Sequence, residues 1–236
     1  EAHSIRYHVF CVENQGYEDP SLHPSGLEKD TYDDYADHAL LVYKPTGKAI
    51  GTVRVIKPNP DDWQNSFPLQ ELCNAQSLHD ETHVKNACEF SRFCISKVRR
   101  NEIRKDVGRL NRIFNFGNTA PFFIYEKFLL NTVLAAAPLG LIRGAFELAL
   151  NNNVLNVYGI MEPHQLDRLV RTGLVHEEIG SAIEYHGKRV PFLCNILQVY
   201  EHAIIYNHEI WQVVSVKGQS HHKALEVLDR KNKIKH

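Results

Sequence analysis

Several common signatures are missing from this chain of 236 residues. It contains no Cys-x-x-Cys pair and no His-Glu-x-x-His segment, so the usual zinc-ligand spacings are absent and we expect no bound metal. No apolar run reaches the roughly 18 residues that a membrane-spanning helix needs. The net charge is −1, so composition gives no overall electrostatic argument for nucleic acid or a membrane as partner.

The five cysteines are odd in number and scattered along the chain. Three of them lie beside apolar strand or helix residues, where buried and reduced thiols are usually found. We therefore expect reduced cysteines in a cytoplasmic protein. Hydrophobic residues make up 43% and charged residues 23% of the sequence, a balance that can fill the core of one α/β domain.

Short β-branched and aromatic runs predict the strands. Residues 38–43 and 49–56 predict an antiparallel hairpin, and residues 88–96 and 154–161 predict two more strands. The other patterns predict a helix at 4–13 with Ser4 as N-cap, helices at 67–72, 139–151 and 163–174, a hairpin across 186–188, and a helix near 195–206. This order predicts a mixed α/β (α+β) sheet in one domain, residues 1–217, followed by a polar basic tail at 218–236.

Charged residues inside apolar strand segments are the main functional signal. Arg54 lies in AIGTVRVI, and Glu89 and Arg92 lie in CEFSRFCIS. Asp30 and Asp33 come shortly before the first strand. Because burial of an unpaired charge is costly, these residues must pair with one another or act in chemistry.

Strand geometry creates a conflict for two of these charges. In a regular strand Glu89 and Ser91 face one side and Arg92 faces the other. Either Arg92 is structural, or the strand contains a β-bulge near residues 90–93, and a bulge would also free backbone N–H groups for an oxyanion. The charges themselves allow two interpretations: a buried ion network that holds the N-terminal helix to the sheet, or a site in which Glu89 is a general base.

Four motifs, in this order and at this spacing, resemble the autoinducer (N-acyl-homoserine-lactone) synthases and the N-acyl amino acid synthases. They are Arg6-x-x-x-Phe10, Glu28-x-Asp30-x-x-Asp33, Gly51-Thr52-Val53-Arg54 and Glu89-Phe90-Ser91-Arg92-Phe93. The sequence most resembles the exosortase-associated acyltransferases of the PEP-CTERM system, which also show Gly-Leu-Glu-x-Asp, Met-Glu-Pro and Glu-Tyr-His-Gly. These appear at 26–30, 161–163 and 184–187. The resemblance covers roughly residues 4–200.

The resemblance implies a GNAT-type acyltransferase fold with a mixed central sheet and flanking helices. Two parallel strands, expected at 88–96 and 154–161, splay apart and receive the pantetheine arm of the donor, and strand 88–96 carries a bulge. The implied donor is the acyl-phosphopantetheine of acyl carrier protein, with no permanently bound cofactor. In keeping with this, strand 88–96 is not followed by the Gly-rich pyrophosphate loop of coenzyme A users; residues 99–102 read RRNE.

The implied reaction is transfer of a fatty acyl group from acyl carrier protein to an amine, with an amino acid as the favoured acceptor. The expected catalytic residues are Glu89, Arg92, Arg54, Asp30 and Asp33. The expected substrate-binding residues are Arg6, Phe10, Phe67, Ser91, Phe93 and Cys94.

A basic run at 97–112 is the expected docking surface for the acidic carrier protein. The expected contacts are Lys97, Arg99, Arg100 and Arg104. A solvated helix face would show the same pattern. Residues 101–137 look like an insertion, to which no residue role transfers. Its apolar segment 121–136 is open to three interpretations: a lining for the acyl chain, a core helix, or a peripheral contact with a membrane surface.

Two other functions remain open on the sequence. An autoinducer synthase that uses S-adenosylmethionine is disfavoured, because those enzymes carry a tryptophan shortly after the Arg6/Phe10 helix and residues 14–17 read NQGY here. A non-catalytic module that binds acyl chains or carrier protein is the third hypothesis, since a purely structural ion network would leave the same charges in the sequence.

Overall fold

The computed structural model describes residues 1–14, 17–113 and 120–234, and the side chains of these residues except those of 106–133 and 234. Within this part of the chain, the strands form a mixed sheet in the order β1-β2-β3-β4-β7-β5, with β6 paired to β7. The strands are β1 (Ala36–Tyr43), β2 (Lys48–Ile56), β3 (Ala87–Ile95), β4 (Asn156–Met161), β5 (Glu177–Glu178), β6 (Ile183–Glu184) and β7 (Lys188–Asn195).

Helices flank this sheet. They are α1 (Ala2–Tyr7), α2 (Pro68–Leu72), α3 (Glu81–Lys85), α4 (Lys97–Ile113), α5 (Ala120–Asn151), α6 (Pro163–Arg171), α7 (Ile196–Tyr206), α8 (His208–Val214) and α9 (Gln219–Ile234). A π-helical segment, His8–Glu13, continues α1, and short 3-10 turns include Thr31–Tyr35 before β1. None of the helices in the described part of the chain is long and apolar enough to cross a membrane.

The centre of the sheet contains its one described parallel pair, β3 and β4. These strands pair from Ala87 and Asn156 as far as Phe90 and Gly159. Beyond this point β3 continues to pair with β2 and β4 continues to pair with β7, so the two central strands separate. The predicted mixed α/β architecture with a splayed parallel pair is confirmed.

The main core lies between one face of the sheet and helices α5, α7 and α9. Val53, Val55 and Val157 of the sheet join residues of these helices in one buried cluster. Because side chains alternate along a strand, Arg54 between the two valines projects to the opposite face. The second face is therefore the one that carries the charged residues.

Strand β3 contains a bulge, which was one of the two alternatives for Glu89 and Arg92. Arg54 of β2 pairs with Ser91, whereas Thr52 pairs with Cys94, so β3 has one extra residue between these two pairs. Arg92 lies in this step with φ +50°, in the left-handed region. The bulge turns Arg92 toward the face that already carries Glu89 and Ser91. The alternative of a regular strand with Arg92 on the opposite face is wrong.

Other segments differ from the sequence-based predictions at their ends. Ser4 is not an N-cap, because α1 begins at Ala2 with Glu1 in the cap position. The helix predicted at 139–151 is the second part of α5, which already begins at Ala120. The proposed roles of segment 121–136 concern side chains outside the described residues and stay predictions.

The polar basic tail predicted at 218–236 is wrong for residues 219–234, which form helix α9. Ala224 and Val227, three residues apart and therefore on one helical face, are fully buried in the main core. The prediction failed because the basic and histidine-rich composition concealed a narrow apolar stripe.

All five cysteines are free, as predicted. Cys11, Cys73, Cys88 and Cys94 are buried, and Cys194 is half-buried.

Candidate active site

Three arginines and three carboxylates alternate in a closed ring on the second face of the sheet. Each neighbouring pair lies within ion-pair distance, and the members in order are Arg6, Glu28, Arg92, Asp30, Arg54 and Asp33. The ring joins helix α1, the loop before β1, strand β2 and the bulge of β3. It therefore ties together four parts of the chain that are far apart in sequence.

Arg6 occupies the end of the ring near helix α1 and is fully buried. Its Nη1 and Nη2 donate to the two oxygens of Asp33 at 2.5 and 3.0 Å, and its Nε donates to Glu28. Such forked contacts use the planar geometry of a guanidinium, which a lysine cannot reproduce.

Arg92 occupies the bulge of β3. Its Nε donates to Glu28 at 3.0 Å, and its Nη2 donates to Glu18 at 3.0 Å and lies 3.6 Å from Asp30. The guanidinium also lies 5.7 Å from the ring centroid of Phe10, at cation–π distance. The left-handed backbone at this residue is the geometry that directs its side chain into the ring.

Arg54 closes the ring from strand β2. Its Nη1 donates to Asp30 at 2.5 Å and lies 3.3 Å from Asp33, and its Nε donates to Ser91 Oγ at 2.9 Å. Its Nη2 is buried without a hydrogen-bond partner among the described residues. The site thus retains one strong donor that the described protein groups leave unused.

Local hydrogen bonds to the backbone orient the two aspartates independently of the arginines. Asp30 caps the 3-10 turn Thr31–Tyr35 by accepting from the Tyr32 N–H at 2.9 Å. Asp33 accepts in return from the Asp30 N–H at 2.9 Å, which completes a capping box. The spacing Asp-x-x-Asp therefore fixes both carboxylates on one side of the turn.

The buried carboxylates of the ring are held ionised. Burial raises the pKa of Asp33, but hydrogen bonds from His38, Arg6 and the Asp30 N–H outweigh burial and hold that pKa well below its usual range. Burial also raises the pKa of Glu28, and the contacts with Arg6 and Arg92 outweigh it. The ring is thus electrically balanced, with three cations and three anions.

Glu89 is not a member of this ring and adds a further carboxyl group to the site. It is 2% exposed, and its Oε2 accepts from the Leu69 N–H at 3.0 Å. Burial raises its pKa to about 7, opposed in part by the bond from Leu69 and by the charges of Arg54 and Arg92. Among the described residues, no cation lies within ion-pair distance of its carboxylate. Glu89 is therefore a carboxylate that can accept or release a proton near neutral pH.

The predicted substrate-binding residues divide between the two faces. Arg6 is in the ring, Ser91 contacts Arg54, and Phe10 and Cys94 share a buried cluster beside helix α1. Phe67 is fully buried next to Tyr158, two residues before the backbone N–H that binds Glu89. Phe93 differs from the others, because it packs against the main core on the opposite face.

Three residues of the site received no role from the sequence. Glu28 bridges Arg6 and Arg92, and Glu18 binds Arg92 from outside the ring. Tyr17 stacks on Phe10 at 4.9 Å and on His186 of the β6–β7 hairpin at 4.1 Å. The position of Glu28 within the Asp30/Asp33 motif was an available signal. Tyr17 lies in the segment 14–17 that replaces the expected tryptophan, whereas no local pattern marks Glu18.

The same region contains the described cluster closest to a metal-ligand arrangement. Ligand atoms of His3, Asp33 and His38 all lie within 4.8 Å of one another. Asp33, however, is already bound by Arg6 and Arg54, whose positive charges would oppose a cation at this position. This donor set does not favour a metal ion.

The basic residues predicted to dock a carrier protein lie on the first turns of α4. Lys97 and Arg104 are exposed. Arg99 and Arg100 are half-buried, and Arg99 donates to the Ala49 carbonyl at 2.5 Å. Only part of the predicted surface is therefore free to meet a partner.

Comparison with known proteins agrees with this architecture. A family profile described as an acetyltransferase (GNAT) domain matches residues 5–106, whereas no curated protein matches the sequence. The fold is similar to that of BjaI, described as a CoA-dependent acyl-homoserine lactone synthase, with TM-score 0.54 and 17% identity over 90% of this chain and 78% of BjaI. It is also similar to TofI in complex with an inhibitor and MTA, with TM-score 0.54 and 21% identity over 85% of each chain.

A third similar structure is FeeM, described as an N-acyl amino acid synthase from uncultured soil microbes. Its TM-score is 0.50 and its identity 14%, over 87% of this chain and 90% of FeeM. At these identities the solved structures establish a shared fold. The fold is GNAT-like and synthase-like, and together with the domain match it supports an acyltransferase.

Proposed function

We propose that this protein is an N-acyltransferase that moves a fatty acyl group from acyl carrier protein to an amino acid. The observation that carries the proposal is Glu89, a buried carboxylate with a pKa of about 7 that the neighbouring ion ring does not neutralise. The ion ring is complete with its six members, so a purely structural network does not require Glu89, which has no cationic partner among the described residues. A general base that works near neutral pH needs this property.

The position of Glu89 suits such a step. It lies on β3 where β3 still pairs with β4, one residue before the last parallel pair, Phe90 and Gly159. The gap between the separating strands is where a GNAT-type enzyme is expected to hold the pantetheine arm. The bulge at Arg92 follows immediately, and it leaves β3 backbone N–H groups outside the regular ladder.

The proposed reaction follows from these groups. Glu89, directly or through water, takes a proton from the acceptor ammonium, and the neutral amine attacks the thioester carbonyl. Backbone N–H groups near the bulge stabilise the oxyanion of the tetrahedral intermediate. The C–S bond then breaks and the phosphopantetheine thiolate leaves. The former amine nitrogen gives up its extra proton, which the thiolate takes up, so that the products are a neutral amide and a thiol.

An amino acid acceptor is supported by the exposed edge of the ring. Arg54 and Asp33 have no exposed side-chain surface, whereas the side chains of Arg92 and Asp30 are 13% and 30% exposed. Arg92 can therefore bind an acceptor carboxylate while Asp30 attracts its ammonium group. Arg54, Arg6 and Asp33 act as positioning residues behind them.

The choice of donor and the family relation are supported mainly by sequence features. The basic start of α4 and the absence of a Gly-rich loop after β3 support a carrier-protein donor. The fold alone does not decide this point, because BjaI is described as CoA-dependent. The motifs at 26–30, 161–163 and 184–187 support a relation to the exosortase-associated acyltransferases.

Product detection tests the proposal. The protein is incubated with acyl carrier proteins loaded with several chain lengths, each with a mixture of amino acids and separately with S-adenosylmethionine, and the products are analysed by mass spectrometry. N-acyl amino acids support the proposal. An acyl-homoserine lactone would show an autoinducer synthase instead, and binding of acyl carrier protein without any product would show a non-catalytic module.

Activity should fall as the pH is lowered through about 7, because protonation of Glu89 removes the base. The sign follows from the raised pKa: the ionised, competent form is present above this value and is lost below it. The measurement is kcat/KM against pH with a saturating donor and an acceptor amine whose pKa lies well above the tested range. A profile that stays flat between about pH 6 and 8 would contradict the assignment.

Charge reversal at Lys97 and Arg104 together should weaken binding of acyl carrier protein at least about tenfold, since these exposed cations steer an acidic partner. Arg99 and Arg100 are left unchanged because they are partly packed against the fold. Titration of labelled carrier protein at two salt concentrations measures the effect. Lys29→Glu, at an exposed lysine on the loop before β1, is the control. Equal affinity of all three proteins would disprove the docking surface.

A further inference from the structure

The N-terminus of α4 is occupied by a carboxylate of the protein itself. Glu13, at the end of the π-helical segment, accepts from the Lys97 N–H at 2.7 Å and from the Val98 N–H at 3.4 Å. The Ser96 hydroxyl also donates to Glu13. Glu13 is separated by more than 80 residues from each of these partners, so this contact is a tertiary one.

The other N–H groups at this helix end that lack an intrahelical partner are also hydrogen-bonded. Arg99 N–H donates to Ser96 Oγ at 3.1 Å, and the N–H of Ser96, which directly precedes the helix, donates to the Ile50 carbonyl at 2.9 Å. The first four N–H groups of a helix are those that normally bind a phosphate. In this protein all four have partners, and two of them have the same anion, Glu13.

Helix α4 directly follows β3, the strand along which the pantetheine arm of the donor is expected to lie. This is the position at which coenzyme A users carry the loop that binds the pyrophosphate. We propose that Glu13 is a donor-specificity residue, whose carboxylate occupies the pyrophosphate position and excludes coenzyme A thioesters. This inference rests on the proposed acyl transfer and names its donor class.

Charge explains why one donor is excluded more strongly than the other. Coenzyme A carries a pyrophosphate and a further phosphate, and these negative charges would approach the carboxylate of Glu13. A phosphopantetheine on acyl carrier protein carries a single phosphodiester charge. Its binding also draws on the contact of the acidic carrier with Lys97 and Arg104 nearby. Glu13 therefore penalises coenzyme A more than the carrier-bound donor.

Titration calorimetry with coenzyme A itself tests the proposal on the whole chain. Glu13→Ala should bind coenzyme A at least about tenfold more tightly than the unchanged protein, because two helix N–H groups become free and a negative charge is removed. Glu13→Gln, which keeps an acceptor for the Lys97 N–H but not the charge, should give a smaller gain. Glu102→Gln, at an exposed carboxylate on the same helix, should give none.

Two outcomes would overturn the proposal: tight coenzyme A binding by the unchanged protein, or an affinity that neither Glu13 variant alters. Thermal unfolding of each variant shows whether it is folded. If Glu13→Ala does not fold, Glu13→Gln decides the result. These binding data do not require turnover. If neither donor class gives any product, the proposed function fails, while the titration still shows whether Glu13 blocks the phosphate position.

Discussion

Glu89→Gln should lose roughly 10²–10⁴-fold in the rate of acyl transfer while it retains its fold. Glutamine has nearly the same shape and keeps an oxygen that can accept from the Leu69 N–H, so the packing around this position should survive. What the substitution removes is the ability to take a proton from the amine. The measurement is single-turnover transfer from a loaded carrier protein at pH 8, where the ionised form of Glu89 prevails.

The stability of the same variant at two pH values distinguishes a general base from a residue that anchors the ion ring. The pKa of Glu89 is raised from 4.5 to about 7 by burial, so folding is penalised as the pH rises through this interval and the carboxylate ionises. Full ionisation costs about 3 kcal/mol, since each pKa unit corresponds to about 1.4 kcal/mol. Glu89→Gln should therefore be more stable than the unchanged protein at pH 8 and gain little at pH 4.

Urea denaturation at these two pH values measures the difference. Glu81→Gln is a matched control, because Glu81 is exposed and its ion-pair partner in the described part of the chain is Lys85, one turn along the same helix. If Glu89→Gln lowered stability at pH 8, Glu89 would be an anchor of the ion ring. If the variant kept full activity, the base would have to be another group.

Strand patterns predicted the architecture because it depends on local sequence. Alternation of apolar residues located the hairpin and the central strands, and the conflict between Glu89 and Arg92 raised a bulge as one of two solutions. The structure selects the bulge through the pairing of Thr52 with Cys94. Sequence could state this alternative but could not decide it, because register depends on contacts with the neighbouring strand.

The composition of the ion ring was harder to predict from the sequence than the architecture. The sequence assigned roles to five of its six members, and it left open whether Glu89 pairs with the arginines or acts as a base. Glu28 makes these pairs instead, which leaves Glu89 outside the ring. Partner choice in such a network depends on which loop reaches the sheet, and no spacing along the chain encodes it. Contacts such as that between Glu13 and Lys97 cannot be predicted from the sequence for the same reason.

Arg6→Met should destabilise the fold by roughly 3–5 kcal/mol, because it removes one partner of a buried ion network and leaves the others in place. Methionine fills much of the volume of the arginine stem, so the loss reports mainly on charge. Asp33 would retain Arg54 and Glu28 would retain Arg92, yet both would lose their contacts with the fully buried guanidinium. The midpoint of urea unfolding at pH 7 measures the effect.

The pH dependence of this loss distinguishes a charge effect from lost packing. Burial and the contacts with Arg6 act in opposite directions on the pKa of Asp33, so without Arg6 its carboxylate should protonate more readily. The difference between the two proteins should then shrink as the pH falls and the carboxylates of both become neutral. Lys29→Met, which breaks an exposed pair with Asp34, should change stability by less than about 1 kcal/mol. If Arg6→Met behaved like this control, the ring would not hold helix α1 to the sheet. In that case the network would serve only to position the exposed groups of Arg92 and Asp30.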